Sequence, residues 1–421
     1  MGIKERLRTI FVKCGSLSKR KMAVIITSAV IIRLLLTLLP SYRVDMEGYR
    51  AWSHYLANNG YGSFYRAFHV VYGPIFPYLL HLSGILAKTL SLSPNAHEYL
   101  IKLWALLSDL VGAVLIYKLG RRRGREGLGF MLGVGYLLNP AVFFNSSIWG
   151  QFDSIPATML LGVIYLLYLR RKSSAIALFV ISILTKPQSV FLLPIIAYLF
   201  FTIDFNWRDL FSSFIVGSAI YLIIIHPFGA GRPVYWLIEH YLKSGGDYPY
   251  ATANAFNLWT LLGGQTIYDN ESFMGLTFSA WSLIFLALTC LATCLLLRRQ
   301  QAQLFSWLFS TYFLAFATFF FGARMHERYL FPAFIFLTTL ILWERAFLLP
   351  LVILSGCHLV NQWYIYELAR KGVYWVPRFD PLALGIAIVT LGVLVQTIGY
   401  LFRYHKSPAD QRVPHSQEVG I

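Results

Sequence analysis

Residues 42–81 read YRVDMEGYRAWSHYLANNGYGSFYRAFHVVYGPIFPYLLH and follow the first long apolar block of the chain. This stretch carries two acidic residues, Asp45 and Glu47, among tryptophan, tyrosine and arginine, and it ends in a Gly-Pro-x-x-Pro turn. A connecting segment of this length is more often a functional loop than a tether. We therefore predict that the rest of the chain is a scaffold that positions this loop.

The composition predicts the scaffold. Of the 421 residues, 57% are apolar and 13% are charged, and a soluble domain carries about twice that share of charge. The apolar residues fall in blocks of roughly 17–25 residues, the length that crosses a bilayer as a helix. We expect an all-α integral membrane protein with about twelve transmembrane segments.

The net charge of +17 does not indicate nucleic-acid binding, because the basic residues lie in short gaps between apolar blocks. This distribution is the positive-inside pattern of membrane proteins, so we expect membrane lipids as partners and no nucleic acid. The basic clusters predicted to be cytoplasmic are Lys19–Lys21, Arg121–Arg125, Arg170–Lys172 and Arg298–Arg299.

Placing these clusters in the cytoplasm predicts one polytopic domain over residues 1–402. Two long loops then lie outside, at residues 40–97 and 227–273, and the first contains a juxtamembrane helix at Pro74–Leu90. Residues 403–421 are expected to form a polar cytoplasmic tail.

A helix break at Lys186-Pro187-Gln188 separates two apolar segments of about a dozen residues each, about half a bilayer in length. Such half-length helices imply a shielded polar cavity at membrane depth. A lysine there costs about 2.5–3.5 kcal/mol on insertion scales. We favour phosphate binding for Lys186, with a structural ion pair as the alternative.

Three further groups are candidates for chemistry. Asp45 and Glu47 could supply a general base or hold a divalent cation, Mg²⁺ or Mn²⁺, although solvation of the loop is the simpler alternative. The run WGQFD places Trp149, Gln151 and Asp153 between two spans. This composition suits a sugar site as well as it suits an interfacial anchor with helix caps.

The third group is the run GARMHERYLFP, which carries Arg324, His326 and Arg328 at the end of a span. Two arginines and a histidine suit a phosphate or pyrophosphate, and an interfacial charged cap is the alternative. Inside two other predicted spans, Arg33 and Asp109 are expected to be structural, as a buried pair or as a hydrogen-bonded aspartate.

Six runs in fixed order carry a family resemblance: VDMEGYRAW, VYGPIFPYLL, LSDLVGAVLIYKLGRR, LLNPAVFFNSSIWGQFDS, LTKPQSVFLLP and MHERYLFP. The chain resembles the polytopic GT-C glycosyltransferases, and within them the mannosyltransferase family related to GPI mannosyltransferase II, with its bacterial and archaeal relatives. Two departures are present. At Asp45 this chain has D-x-E where related enzymes can carry D-x-D. At Tyr72 it has Y-G-P-I where the family more commonly has Y-P-P.

The resemblance implies an enzyme that takes a hexose, usually mannose, from a polyprenyl-phosphate carrier such as dolichyl phosphate. Transfer then occurs with inversion, on the non-cytoplasmic face, to a lipid, glycan or protein acceptor. The catalytic acid of the first outer loop maps onto Asp45, with Glu47 as its helper or metal partner. No nucleotide cofactor is expected. We expect the plasma membrane as the location, or the ER membrane in a eukaryote.

The other predicted site residues bind substrate. Cations would neutralise the departing phosphate, and the remaining groups would shape the pocket: Lys186, Arg324 and Arg328 for the phosphate, with Tyr72, Trp149, Gln151, Asp153, Gln188 and His326 for the pocket. A transporter or flippase of lipid-linked sugars is the alternative, since broken helices are also a transporter device. Transporters of that kind show paired inverted halves, whereas this sequence has one broken pair. A non-catalytic subunit of a larger transferase fits poorly.

Overall fold

The computed structural model describes residues 18–229, 231–299 and 304–406, and it is mostly helical. From residue 407 onward, the predicted cytoplasmic tail lies outside the described residues. A single short β-hairpin accompanies the helices in the described ranges, formed by β1 (Ser272–Phe273) and β2 (Leu276–Thr277).

The N-terminal part of the fold is a series of helices joined by short turns. They are α1 (Lys19–Thr37), α2 (Arg43–Asn59), α3 (Phe64–Ala67), α4 (Ile75–Thr89), α5 (Pro94–Arg122), α6 (Glu126–Leu137), α7 (Pro140–Phe143), a π-helix (Phe144–Trp149) and α8 (Ser154–Tyr168). The oxygens of Ser93 and Asn139 accept backbone N–H groups at the starts of α5 and α7, and a proline follows each. These are favourable helix-starting sequences.

The C-terminal part continues in the same way. It comprises α9 (Lys172–Thr185), a 3-10 helix (Pro187–Leu192), α10 (Leu193–Thr202), α11 (Trp207–Gly229), α12 (Trp236–Ser244), α13 (Leu258–Leu261), α14 (Phe278–Arg299), α15 (Leu304–Phe321), α16 (Pro332–Leu340), a 3-10 helix (Arg345–Phe347), α17 (Leu348–Arg370) and α18 (Pro381–Lys406). The predicted break at Lys186 is confirmed. Because Pro187 disfavours helical backbone in the residue before it, Lys186 is extended and ends α9.

The described helices include six that are long and apolar enough to cross a membrane. They are α5, α11, α14, α15, α17 and α18, and the pair of α6 with α7 and the π-helix would be a seventh, bent by 44°. Three shorter apolar helices lie at Ser154–Tyr168, Lys172–Thr185 and Pro187–Thr202. The prediction of an all-α, multi-pass membrane protein is therefore confirmed, whereas the count of about twelve segments is not established.

The core is centred on α15, which is apolar on all sides and buried along nearly its whole length. Such a helix belongs in the interior of a bundle. By contrast, α11 keeps large apolar side chains such as Phe211, Phe214 and Ile223 about 70% exposed. An apolar surface of this kind suits contact with lipid.

A buried ion pair between Arg33 on α1 and Asp109 on α5 confirms the structural role predicted for these residues. The guanidinium also donates hydrogen bonds to the Ser146 and Ser147 hydroxyls and to the Leu137 carbonyl. Asp109 further accepts from Ser146. The pair thereby fixes the π-helix to α1 and α5, and this helix leads directly into the candidate site.

Candidate functional site

The loop that follows α1 is docked by its backbone onto two of the predicted motifs. The Tyr42 amide donates to the Trp149 carbonyl at 3.1 Å, and the Gly73 amide donates to the Thr185 carbonyl at 3.2 Å. A Cβ atom on Gly73 would lie 2.1 Å from the Leu184 carbonyl oxygen, so this approach requires glycine. The first loop thus covers both the WGQFD run and the break at Lys186.

Asp45 lies in the first turn of α2, and one of its carboxylate oxygens is held by two donors. Trp149 Nε1 and Gln151 Nε2 reach Asp45 Oδ2 at 2.8 and 2.6 Å. The other oxygen, Oδ1, accepts no hydrogen bond from the described residues. The carboxylate is therefore fixed in orientation while one oxygen stays available for a proton.

The local backbone explains this convergence. The π-helix ends at Trp149, and Gly150 follows in a left-handed conformation with φ of 88°. A Cβ on Gly150 would lie 2.5 Å from the Met46 side chain. The Tyr42 ring stacks on Trp149 with centroids 4.1 Å apart. π-helical turns are rare and occur often at functional sites, because they re-aim side chains.

Lys186 forms a buried ion pair with Asp153, whose second oxygen accepts from Asn145 Nδ2 at 3.1 Å. The ammonium also lies 4.9 Å from the centre of the Phe152 ring and 5.5 Å from that of Tyr72. The structural ion pair, which the sequence analysis gave as the alternative role of Lys186, is thus present in the structure. It does not prevent Lys186 from contacting an anion, since an ammonium has three donors.

Arg328 is the second cation at the site. Its Nη1 donates to the buried Glu327 carboxylate at 2.6 Å, while its Nε is buried without a partner in the described structure. The negative charge of Asp45 acts on Arg328, so the predicted acid and the predicted cation lie in one electrostatic environment.

His326 does not add a third cation. It is buried, and its backbone bridges to Ala253 and Asn254 in the second loop. Burial, together with the positive charges of Arg328 and Lys186, holds the pKa of His326 well below its usual value. The imidazole is therefore neutral at neutral pH and can serve as a hydrogen-bonding group only.

Tyr72 and Gln188 are the last two predicted residues of the site. The Tyr72 hydroxyl lies 3.0 Å from that of Tyr49, and burial raises its pKa, so it remains protonated. Gln188 Nε2 donates to the Tyr329 hydroxyl at 3.1 Å. The Asp45 cluster, as we name it, comprises Asp45, Tyr72, Trp149, Gln151, Asp153, Lys186, Gln188, His326 and Arg328.

Two predicted site residues lie outside this cluster. Glu47 is exposed and pairs with Arg43 at 2.7 Å, because residues two apart on a helix point in nearly opposite directions. The two carboxylates therefore do not converge on a shared cation, and the described residues contain no group of three or more metal-ligating side chains. Arg324 instead binds Asp269 at 2.6 Å and the Gly245 carbonyl, within the second loop.

Residues that the sequence did not assign also belong here: Asn145, Glu327 and Tyr329. Glu327 pairs with Arg328, Asn145 supports Asp153, and Tyr329 contacts Gln188. Asn145 shortly precedes the run WGQFD, and Glu327 and Tyr329 flank Arg328 in the sequence. Proximity to a motif was the available signal, but it does not tell which neighbour points inward.

Several polar atoms of the site are buried without a partner among the described residues. They are Asn145 Oδ1, Gln151 Oε1, Gln188 Oε1 and Arg328 Nε. Buried polar atoms in folded proteins are almost always hydrogen-bonded, to protein, water or ligand. These amide and guanidinium atoms are therefore available to hydrogen-bond a polar ligand or water.

In chemical terms, the Asp45 cluster combines an oriented carboxylate at Asp45, a second carboxylate paired with Lys186, two cations and several uncharged hydrogen-bonding groups. It can take a proton from a hydroxyl, hold a sugar and receive a phosphate. No protein-family profile matches the chain, and no curated sequence matches it significantly.

Proposed function

We propose that this chain is a GT-C type membrane glycosyltransferase. It transfers a hexose, most readily mannose, from a polyprenyl-phosphate carrier to a hydroxyl group of an acceptor. The observation that carries the proposal is the fixation of Asp45 through one oxygen by Trp149 and Gln151. Asp153 of the same run pairs with Lys186, and the charge of Asp45 acts on Arg328. A base next to phosphate-binding cations is the arrangement that displacement of a phosphate from a sugar requires.

The reaction proceeds by direct displacement. Asp45 Oδ1 takes the proton of the acceptor hydroxyl while the acceptor oxygen forms a bond to C1 of the hexose. The bond between C1 and the phosphate oxygen breaks, and its electron pair leaves with the polyprenyl phosphate. One displacement inverts the anomeric centre and needs no covalent enzyme intermediate.

The leaving phosphate is received by Arg328 and Lys186. Arg328 has a free Nε, and both cations are largely removed from solvent, with 14% of the Arg328 side chain and 4% of the Lys186 side chain exposed. This burial strengthens their interaction with the charge that develops on the phosphate. The hexose contacts the unpaired oxygens of Gln151 and Gln188, which accept hydrogen bonds from its hydroxyls. Asp153 and Glu327 orient the two cations.

The proposed topology places this site on the non-cytoplasmic face. Arg50, on the same helix as Asp45, pairs with Glu98 near the start of α5. Because the 29 residues of α5 extend for about 43 Å, the basic run that begins at Arg121 lies far from this end of the helix. Basic residues favour the cytoplasmic side. Further short segments would complete the twelve-segment path, and the plasma membrane is the proposed location.

The test is transfer from polyprenyl-phosphate mannose by the purified Asp45→Asn variant. Loss of a general base typically lowers the rate by about 10²–10⁴-fold, and the variant should unfold at the wild-type temperature. Glu47→Gln is the matched control, two residues away and exposed, and should keep wild-type activity with or without chelator. Full activity in Asp45→Asn would remove this residue from the mechanism.

One observation favours a transporter or flippase of lipid-linked sugars: α9 and α10 are half-length helices separated by the break at Lys186. The two functions differ in chemistry. An enzyme releases free polyprenyl phosphate from polyprenyl-phosphate mannose, whereas a transporter moves the intact molecule between leaflets of a vesicle. Translocation without cleavage would favour the transporter.

A further inference from the structure

A row of exposed aromatic side chains lies beside the Asp45 cluster. We call it the aromatic strip, and it consists of Tyr248, Tyr250, Tyr268, Tyr374 and Trp375. Four of its members have between 36% and 52% of their surface exposed. They come from three separate segments of the chain, so only the folded structure places them together.

Four of the five rings, all except that of Tyr374, form a continuous path from the surface to His326. Tyr268 and Tyr250 have centroids 5.4 Å apart, Tyr250 and Trp375 are 5.2 Å apart, and Trp375 and Tyr248 are 6.2 Å apart. Tyr248 then packs edge-on against His326 at 4.6 Å. The path therefore reaches the Asp45 cluster at His326.

The strip is also held rigidly. Asn254, which has a left-handed backbone with φ of 68°, donates through Nδ2 to the Tyr374 carbonyl at 2.8 Å and accepts from the Val376 amide at 3.0 Å. Tyr250 is bridged by its backbone to Tyr268. A preorganised surface binds with a smaller entropic cost than a flexible one.

We propose that the aromatic strip binds the saccharide portion of a glycan acceptor and guides its terminal hydroxyl to Asp45. This inference rests on the proposed glycosyl transfer and adds the class of acceptor. Tyrosine and tryptophan present an apolar ring face together with a polar tip. Those faces can cover the C–H surfaces of sugars, while the hydroxyl and indole N–H groups bind sugar hydroxyls.

Two features favour a saccharide as the occupant. No hydroxyl of the four tyrosines, nor the indole N–H of Trp375, is hydrogen-bonded to another described residue, so all five polar tips are available to a ligand. Successive rings lie 5.2–6.2 Å apart, which provides more than one stacking position. A purely lipid acceptor would be matched better by the apolar side chains exposed on α11, such as Phe214 and Ile223, which carry no polar tip.

The experiment measures the binding and the use of hexose tetrasaccharides by Trp375→Ala and Tyr248→Ala. Binding of mannose, glucose and galactose tetrasaccharides to the full-length protein is measured without donor, by calorimetry. We expect the best tetrasaccharide to bind each variant at least about tenfold more weakly, equivalent to about 1.4 kcal/mol. Trp363→Ala, a control exposed on α17, should bind like the wild type.

Kinetic measurements test the saccharide site separately from the proposed glycosyl transfer on which it rests. With polyprenyl-phosphate mannose as donor, the variants should raise the KM for the tetrasaccharide and leave the KM for the donor and for a methyl hexoside unchanged. If the wild type binds the tetrasaccharide but transfers no hexose, the proposed reaction fails and the saccharide site stands. If no tetrasaccharide binds, or if the variants lose only vesicle binding or a protein partner, the aromatic strip is not a saccharide site.

Discussion

Two buried charge networks in this chain, one around Arg33 and Asp109 and one around Asp153 and Lys186, differ in how completely their hydrogen bonds are made. Every side-chain nitrogen of Arg33 has an acceptor, and both oxygens of Asp109 have donors. Around the second pair, by contrast, buried atoms such as Asn145 Oδ1 and Gln188 Oε1 have no partner among the described residues.

This difference teaches how to separate structural charges from functional ones. A buried ion pair that serves only the fold is stable when its remaining lone pairs and protons are satisfied. A site that binds a ligand must leave some of its polar atoms for that ligand. The unpaired atoms therefore distinguish the two networks better than burial does, since both pairs are buried.

The largest expected effect is on the Arg33 network. Asp109→Leu leaves the Arg33 guanidinium buried without its counter-charge, which should lower the free energy of unfolding by about 3–5 kcal/mol. Replacing both residues, with Arg33→Met and Asp109→Leu, should restore most of this loss. Thermal unfolding in detergent measures both effects. A single variant as stable as the wild type would show that this network is not structural.

The second prediction compares two arginines of the run GARMHERYLFP, one inside the Asp45 cluster and one outside it. Arg328→Lys keeps the charge and removes the planar fork, so binding of a short-chain polyprenyl phosphate should weaken by about 10–100-fold, the value of one charged hydrogen bond. Arg324→Lys is the matched control, because Arg324 binds Asp269 instead. Calorimetry measures both affinities. Equal losses in the two variants would contradict the assignment of Arg328 to the phosphate.

The smallest effect concerns His326, whose pKa is lowered by burial and by Arg328 and Lys186. The folded state therefore binds fewer protons than the unfolded state below the ordinary histidine pKa of about 6.5. The free energy of unfolding should fall there by up to about 1.4 kcal/mol per pH unit as the pH decreases.

Unfolding measured between about pH 5 and pH 7.5 tests this sign. In the His326→Gln variant the loss of stability on acidification should be smaller than in the wild type. An unchanged pH dependence in His326→Gln would show that this imidazole is not held neutral by its surroundings.

The sequence predicted the helices well, because apolar blocks and helix-ending residues act locally. α15, Leu304–Phe321, is one such apolar block. The break at Lys186 followed from Pro187 alone. For Arg33 and Asp109 the sequence predicted a structural role, either as a buried pair or through a hydrogen-bonded aspartate, and the structure shows the pair.

The direction of the loop residues was not predictable in the same way. Asp45 and Glu47 are two acids in one short run, and only the docking of Tyr42 onto Trp149 decides that Asp45 faces inward. Arg324 and Arg328 are chemically identical, and the position of Asp269, distant in sequence, decides that Arg324 serves the second loop.

By itself, then, the sequence determined the class of protein, the helical segments and the residue types available for chemistry. Hydrophobic length and proline act through neighbours in the chain, so these properties can be read from the order of residues. Only the tertiary structure decided which side chains meet. The contacts that bring Asp45 to Gln151, and the aromatic strip to His326, join segments far apart in sequence, and no local pattern specifies them.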